Sequence, residues 1–168
     1  MTVRQHEPSD YEAAQHIYAE AFKRPDRPKG EAPLFVALSD AHDVIEELSF
    51  VAVVDGEAVG HVTASRAMVG AHPIVAVGPV GVLPDFQNRG LGTAMMNALI
   101  DAAESADVPL VVLLGAPQYY GRFGFRPAVE LGVVPPNATW GDAFQARPLR
   151  AYDPHITGPF RYAPAFSS

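Results

Sequence analysis

At 168 residues, with 48% hydrophobic and 18% charged side chains, the chain can bury a sizeable core and is globular rather than disordered. A formal net charge of −7 works against nucleic acid and anionic membrane as general partners, and the lack of cysteine excludes disulfides, thiolate metal sites and a cysteine nucleophile. There is no signal-like N-terminal segment and no apolar run near the ~20 residues that span a bilayer, so a cytoplasmic protein is expected.

Thr2 to His6 is short and β-prone, a first strand. Ser9-Asp10-Tyr11-Glu12 has the S-x-x-E form of a capping box. Ala14, Ile17, Tyr18, Ala21 and Phe22 follow at helical spacing, which predicts a helix from Asp10 to Lys23. Lys23 to Gly30 is a basic, proline-punctuated loop, either a solvated connection or a flap over a substrate. Glu31 to His42 reads as a second, weaker helix. Ser49 to Val54 is a strand, Asp55-Gly56 a hairpin turn, and Ala58 to Met68 the returning strand, with Val59, His61 and Thr63 on one face. Val69 to Pro73 turns into the strand Ile74 to Leu83, where Gly78-Pro79 predicts a bulge or incomplete pairing.

Leu91, Met95, Ala98, Leu99, Ala102 and Ala106 form one apolar stripe at helical spacing, and Pro109 marks that helix's end. Leu110 to Leu114 is continuously apolar, as in a strand buried on both faces beside a parallel neighbour. Gly115-Ala116-Pro117 breaks it. Gln118 to Phe123 then forms a short helix, and Phe125 to Leu131 reads as extended. Phe144 to Arg147 and Phe160 to Tyr162 are strand candidates in a proline-rich remainder, where Trp140 and Phe144 suit an acceptor pocket or a homodimer interface. No repeat or linker divides the chain, so 1–168 is expected to be a single domain, with its motifs in 80–125 and a C-terminal extension, 150–168, packed on it. The order β-α-α-β-β-β-α-β-α-β, a meander followed by a β-α-β crossover, predicts an α/β fold of the mixed-sheet kind with helices on its faces.

The chemistry centres on Val80 to Thr93, which reads V-G-V-L-P-D-F-Q-N-R-G-L-G-T. A strand ends at a proline, and a glycine-bearing loop opens directly into a helix. Such a loop aims free backbone N–H groups at one spot, at the positive end of the helix dipole, which suits a phosphate or pyrophosphate. A P-loop is ruled out because no Gly-Lys-Ser or Gly-Lys-Thr occurs. A Rossmann loop is disfavoured because Met95 stands where the third glycine would allow close helix–strand packing. The remaining form is Q-x-x-G-x-G after V-x-x-P. One β-α-β step later comes Tyr120-Gly121-Arg122-Phe123-Gly124-Phe125.

Taken together, Val80-x-Val82-x-Pro84, Gln87-Asn88-Arg89-Gly90-Leu91-Gly92, the strand Leu110 to Leu114 and Tyr120 with Gly124-Phe125 resemble the GNAT superfamily of acetyl-CoA-dependent N-acetyltransferases. The resemblance implies a central, mostly antiparallel sheet with a splayed parallel strand pair. It implies that the backbone of Val80, Val82 and Leu83 takes the pantetheine arm, with the Val82 N–H polarising the acetyl carbonyl. The loop Asn88, Arg89, Gly90, Leu91, Gly92 and Thr93 would hold the pyrophosphate, with added contacts from Gln87 and Arg89. Tyr120 would be the general acid that protonates the departing thiolate. The implied reaction is direct transfer from acetyl-CoA to a primary amine of a small molecule or protein, through a tetrahedral oxyanion that an aligned donor stabilises.

Leu114-Gly115-Ala116 lacks the asparagine that the family often carries there, so that contact is absent. The general base is open among His61, His72, Glu57, Asp85 and Glu130. The six histidines show no metal-binding spacing, so no metal is expected. A non-catalytic acyl-CoA-binding module with the same fold is the alternative to an enzyme.

Overall fold

The structure is a computed structural model that describes residues 1–164; the last four residues of the expected C-terminal extension lie outside the described residues. The chain forms two compact units, each built from two separate stretches of sequence. The first combines Met1–Ala64 with Pro79–Ala102, and the second combines Ser65–Gly78 with the chain from Ala103 onward.

In the first unit, β1 (Thr2–Gln5) pairs antiparallel with β2 (Phe50–Val54), from Thr2↔Val53 to Gln5↔Phe50. β2 pairs antiparallel with β3 (Glu57–Val69), with a register shift between Ala52 and Val53. Their turn is Asp55-Gly56, both at positive φ (51° and 79°), the conformation that matches the twist of a two-residue hairpin. The helices α1 (Tyr11–Ala21) and α2 (Ala32–Asp40) pack together through Ala14, Tyr18, Ala32 and Phe35. The expected Ser9–Glu12 capping box does not form. Asp10 instead accepts the Glu7 N–H at 2.8 Å and pairs with Arg4, so the chain enters α1 through a single 3₁₀ turn, Pro8–Asp10.

Gly30 closes the basic loop with φ 53°, buried against the end of α1. A Cβ there would strike the main-chain oxygens of Tyr18 and Ala19. Backbone cannot yield as a side chain tip can, and positive φ adds strain. Gly30→Ala is therefore expected to cost about 3 kcal/mol and lower the midpoint of a thermal melt by about 10 °C.

The second unit holds the far half of β3 and the start of β4 (His72–Val82), joined by a turn at Gly70 with φ 57°. β4 pairs in parallel with β5 (Leu110–Leu114) at Val75↔Val111 and Ala76↔Val112. β5 pairs antiparallel with β8 (Phe144–Pro148), and β8 with β6 (Arg126–Pro127). β9 (Gly158–Tyr162) pairs antiparallel with β3 and in parallel with β7 (Val133–Val134). The result is the expected mixed α/β fold with a mostly antiparallel sheet. The core of this unit contains Val69, Ile74, Val112, Phe144, Ala146 and Phe160, and Trp140 packs onto it. Phe144 is therefore a core residue. Phe125 to Leu131 is not extended throughout: β6 is two residues long, and Ala128–Leu131 coils into a 3₁₀ turn that buries Ala128.

Candidate active site

In the first unit β4 ends at Val82, and a 3₁₀ turn, Pro84–Phe86, leads through Gln87–Gly90 into α3 (Leu91–Ser105). Leu91, Met95, Met96, Leu99 and Ile100 bury one face of α3; Ala106, expected in this stripe, lies past the helix end and is exposed. Met95 is accommodated from the strand side. A Cβ on Gly60 of β3 would lie 3.0 Å from its Cε and 3.3 Å from its Sδ. The glycine that permits close packing here is on the strand, facing the helix.

Asn88 and Gly90 both take positive φ (63° and 81°) in an exposed loop. Among the described residues, none of the N–H groups of Asn88, Arg89, Gly90, Leu91, Gly92 or Thr93 donates a hydrogen bond; the first in the series to do so is Ala94, to the Gly90 carbonyl at 3.0 Å. Six successive donors stand unpaired at the positive end of a fifteen-residue helix. The Gln87 and Arg89 side chains shape this cradle. Gln87 Nε2 donates to the Val82 carbonyl at 3.0 Å. Arg89 donates to the Asp85 carbonyl at 3.0 Å, with its guanidinium 5.1 Å from the centre of the Phe86 ring.

The orientation of β4 follows from one hydrogen bond. Leu83 donates its N–H to the Val59 carbonyl on β3 at 2.8 Å, and its own carbonyl accepts from Phe86. Successive residues of a strand direct their backbone groups to opposite edges. Val82 and Val80 therefore present theirs away from β3, while Leu83 fixes the strand's end.

In the second unit, β5 runs through Gly115 into α4 (Pro117–Tyr120). Tyr120 is half-buried, edge-on to Tyr119 with ring centroids 4.8 Å apart. Its hydroxyl has no hydrogen-bond partner among the described residues, and burial, with Tyr119 beside it, raises its pKa above the usual 10. The ring lies directly on Gly115, where a Cβ would overlap it. Gly115 is pinned in turn: its N–H donates to the Ala143 carbonyl at 2.9 Å, and its carbonyl accepts from Gln145 Nε2 at 3.0 Å. Gln145 is 1% exposed, a buried amide whose role the sequence did not signal.

The base candidates are scattered. Glu57, Asp85 and Glu130 are exposed, Glu130 paired with Arg126, and His72 opens β4 in the second unit. His61 is fully buried in the first unit, with its pKa pushed down to about 3 by burial and by His6. It shares a face of β3 with Thr63, as the alternation predicted, and that face meets Tyr18 of α1. The Tyr18 hydroxyl lies 2.7 Å from His61 Nδ1, 2.8 Å from Thr63 Oγ1 and 2.9 Å from the Pro79 carbonyl. His61 Nε2 lies 3.0 Å from His6 Nδ1. Among the described residues no helix is long and apolar enough to cross a membrane, and no cluster of histidine, aspartate and glutamate could hold a metal ion.

The sequence profile of the acetyltransferase (GNAT) family matches residues 11–125, and the chain belongs to that family. It is 31% identical over 101 residues to the Uncharacterized N-acetyltransferase YjhQ of Escherichia coli (strain K12), over 58% of this chain and 56% of that protein. The chain thus matches little more than half the length of that curated relative. It is similar to the solved GNAT family acetyltransferase from Brucella melitensis in complex with acetyl-CoA, with TM-score 0.79, 27% identity and coverage of 98% of this chain and 97% of that one. The GNAT family N-acetyltransferase (YhbS) from Escherichia coli in complex with CoA shares its fold, with TM-score 0.87, 24% identity and coverage of 99% and 92%.

Proposed function

We propose that the chain transfers an acetyl group from acetyl-CoA directly to a primary amine of a small molecule or protein. The row of unpaired N–H groups from Asn88 to Thr93 carries the reading, because six successive free donors at a helix N-terminus suit a pyrophosphate. In this reading Gln87 and Arg89 hold the loop's shape, and the remaining guanidinium donors add positive charge. Val80 and Val82 offer backbone groups to the pantetheine arm, and the Val82 N–H polarises the acetyl carbonyl. One aligned donor of this kind stabilises a tetrahedral oxyanion by about 3–4 kcal/mol. Leu83, with both backbone groups engaged, anchors the strand. The relative from Brucella melitensis, solved with acetyl-CoA, supports the choice of donor.

Tyr120 is the general acid in this reading. Burial holds the Tyr120 phenol above its usual 10, so passing its proton to a thiolate near 8.5 costs more than about 2 kcal/mol, and transfer accompanies C–S cleavage rather than preceding it. The two units together make one acetyltransferase domain.

Incubation with acetyl-CoA and a panel of primary amines tests the proposal through release of free thiol. Release above the protein-free rate with at least one amine is expected. Acetyl-CoA binding with no release across the panel would turn the reading to a non-catalytic acyl-CoA-binding module. Absence of binding would end both.

A further inference from the structure

The first unit holds a polar pocket lined by none of the residues assigned to acetyl transfer above. It measures about 350 Å³ and lies at the start of α1 and the end of α2, lined by His6, Tyr11, Ser39, Asp40, His42 and Glu46 among others. His42 ends α2 at φ 58°, the left-handed position usually given to glycine, and so sets an imidazole at the pocket where glycine would set none. His6 is 5% exposed. Its Nδ1 engages His61, while its Nε2 has no partner among the described residues and is not sealed from solvent, so it opens into the pocket.

The proton on each ring follows from the inner end of the chain. Tyr18 has one hydroxyl proton, and the Pro79 carbonyl beside it can only accept. When Tyr18 donates to that carbonyl, its 2.7 Å contact with His61 is a hydrogen bond only if Nδ1 carries the proton, since a bare Nδ1 would face the hydroxyl's lone pair. The Thr63 hydroxyl, 3.3 Å from Nδ1, is the weaker alternative donor to it. With Nδ1 protonated, His61 Nε2 is bare and accepts Nδ1–H from His6. His6 Nε2 is left as a lone-pair acceptor facing the pocket. The reverse order deprives the buried Pro79 carbonyl of the Tyr18 proton, so the first order is favoured.

The pocket therefore offers an acceptor nitrogen, the carboxylates of Asp40 and Glu46, the Ser39 hydroxyl and the Tyr11 ring. An anion would meet two carboxylates, and no metal-binding cluster is present among the described residues. We propose that this pocket binds a small primary ammonium compound, which donates an N–H to His6 Nε2 while Asp40 and Glu46 hold its charge. An N–H donor at His6 Nε2 matches the proton order that the Tyr18–Pro79 contact already sets through His61. The site stands on this geometry whether or not the chain transfers acetyl groups.

Asp10 (paired with Arg4), Glu46 and Glu7 favour a charged His6, but burial outweighs them and lowers its pKa below 6.5, so the acceptor persists at neutral pH. Protonation of Nε2 removes it, and binding weakens with acid.

Histidine-ring ¹⁵N spectra at pH 7.5 provide the test. His6 and His61 are both expected as Nδ1–H tautomers. Ethylammonium chloride is expected to shift His6 Nε2 saturably. Tetramethylammonium, equally charged but without an N–H, is expected to bind at least tenfold more weakly. The exposed-residue double variant Asp40→Asn, Glu46→Gln should weaken ethylammonium binding at least tenfold. An Nε2–H tautomer on His6, equal binding of the two cations, or undiminished binding by the double variant would overturn the proposal.

Discussion

Replacing Tyr120 with phenylalanine is expected to lower kcat for acetyl transfer about 10²–10⁴-fold, with acetyl-CoA affinity changed only a few-fold. The ring and its packing on Tyr119 survive the change, and only the unpartnered hydroxyl is lost. In the proposed reaction the same geometry would make Gly115 a positioning residue. Any Cβ at 115 displaces the Tyr120 ring, because Ala143 and Gln145 hold the Gly115 backbone from both sides. Gly115→Ala should therefore lower kcat nearly as far as Tyr120→Phe. The double variant should be little worse than either single one, since both remove the same proton donor. Additive losses would mean that Gly115 acts by some other route, and an unchanged kcat in Tyr120→Phe would remove the general acid. A thermal melt of each variant separates loss of turnover from loss of fold.

Acid is expected to destabilise the protein steeply between pH 6.5 and about 3, at a slope of up to about 1.4 kcal/mol per pH unit from His61 alone. The sign follows from burial. In the unfolded chain His61 takes up a proton near pH 6.5, whereas in the folded chain it resists until about pH 3, so the unfolded state binds more protons across that window. The stabilisation is fully present above pH 6.5 and drains away as pH falls. His6 acts in the same direction, because burial lowers its pKa too. Asp10, held low chiefly by its hydrogen bond to Arg4, adds to the loss only near and below its ordinary 3.8, so pH 4–6.5 isolates the histidines. Urea melts across that range should show a flatter pH dependence for His61→Gln than for the wild-type chain, even though the variant starts out less stable at neutral pH. Equal slopes would show that His61 is not kept neutral by the fold.

What the sequence made legible was local. The α3 stripe, the apolar β5 run and the Asp55-Gly56 turn each lie within one window of residues, and their periods or turn residues name them directly. The loop from Gln87 to Thr93 was legible for the same reason: strand, glycines and helix are consecutive, so its free donors could be expected from order alone. Features made across long gaps were not. His6 and His61 are separated by 55 residues, and no pattern in either segment shows that they meet. Met95 read as an obstacle because the glycine that receives it, Gly60, is on a different strand. Gln145 gave no signal because its work is done on the backbone of Gly115. The Ser9–Glu12 cap was a competing local choice, overridden when Asp10 found both Arg4 and the Glu7 N–H. Phe125 to Leu131 is too short and too broken by Pro127 for period alone to separate a strand from a tight coil.

The interleaving of the two units sets the timetable of synthesis. A nascent chain leaving the ribosome through Ala64 carries β1, α1, α2 and β2 but lacks the Pro79 carbonyl that Tyr18 engages and the Met95 side chain that fills the space beside Gly60. The first unit cannot close until Ala102 has emerged, and by then Ser65–Gly78, which belongs to the second, has already been made and must wait for β5. No single cut separates the two units, and every truncation between Ala64 and Ala102 leaves both incomplete.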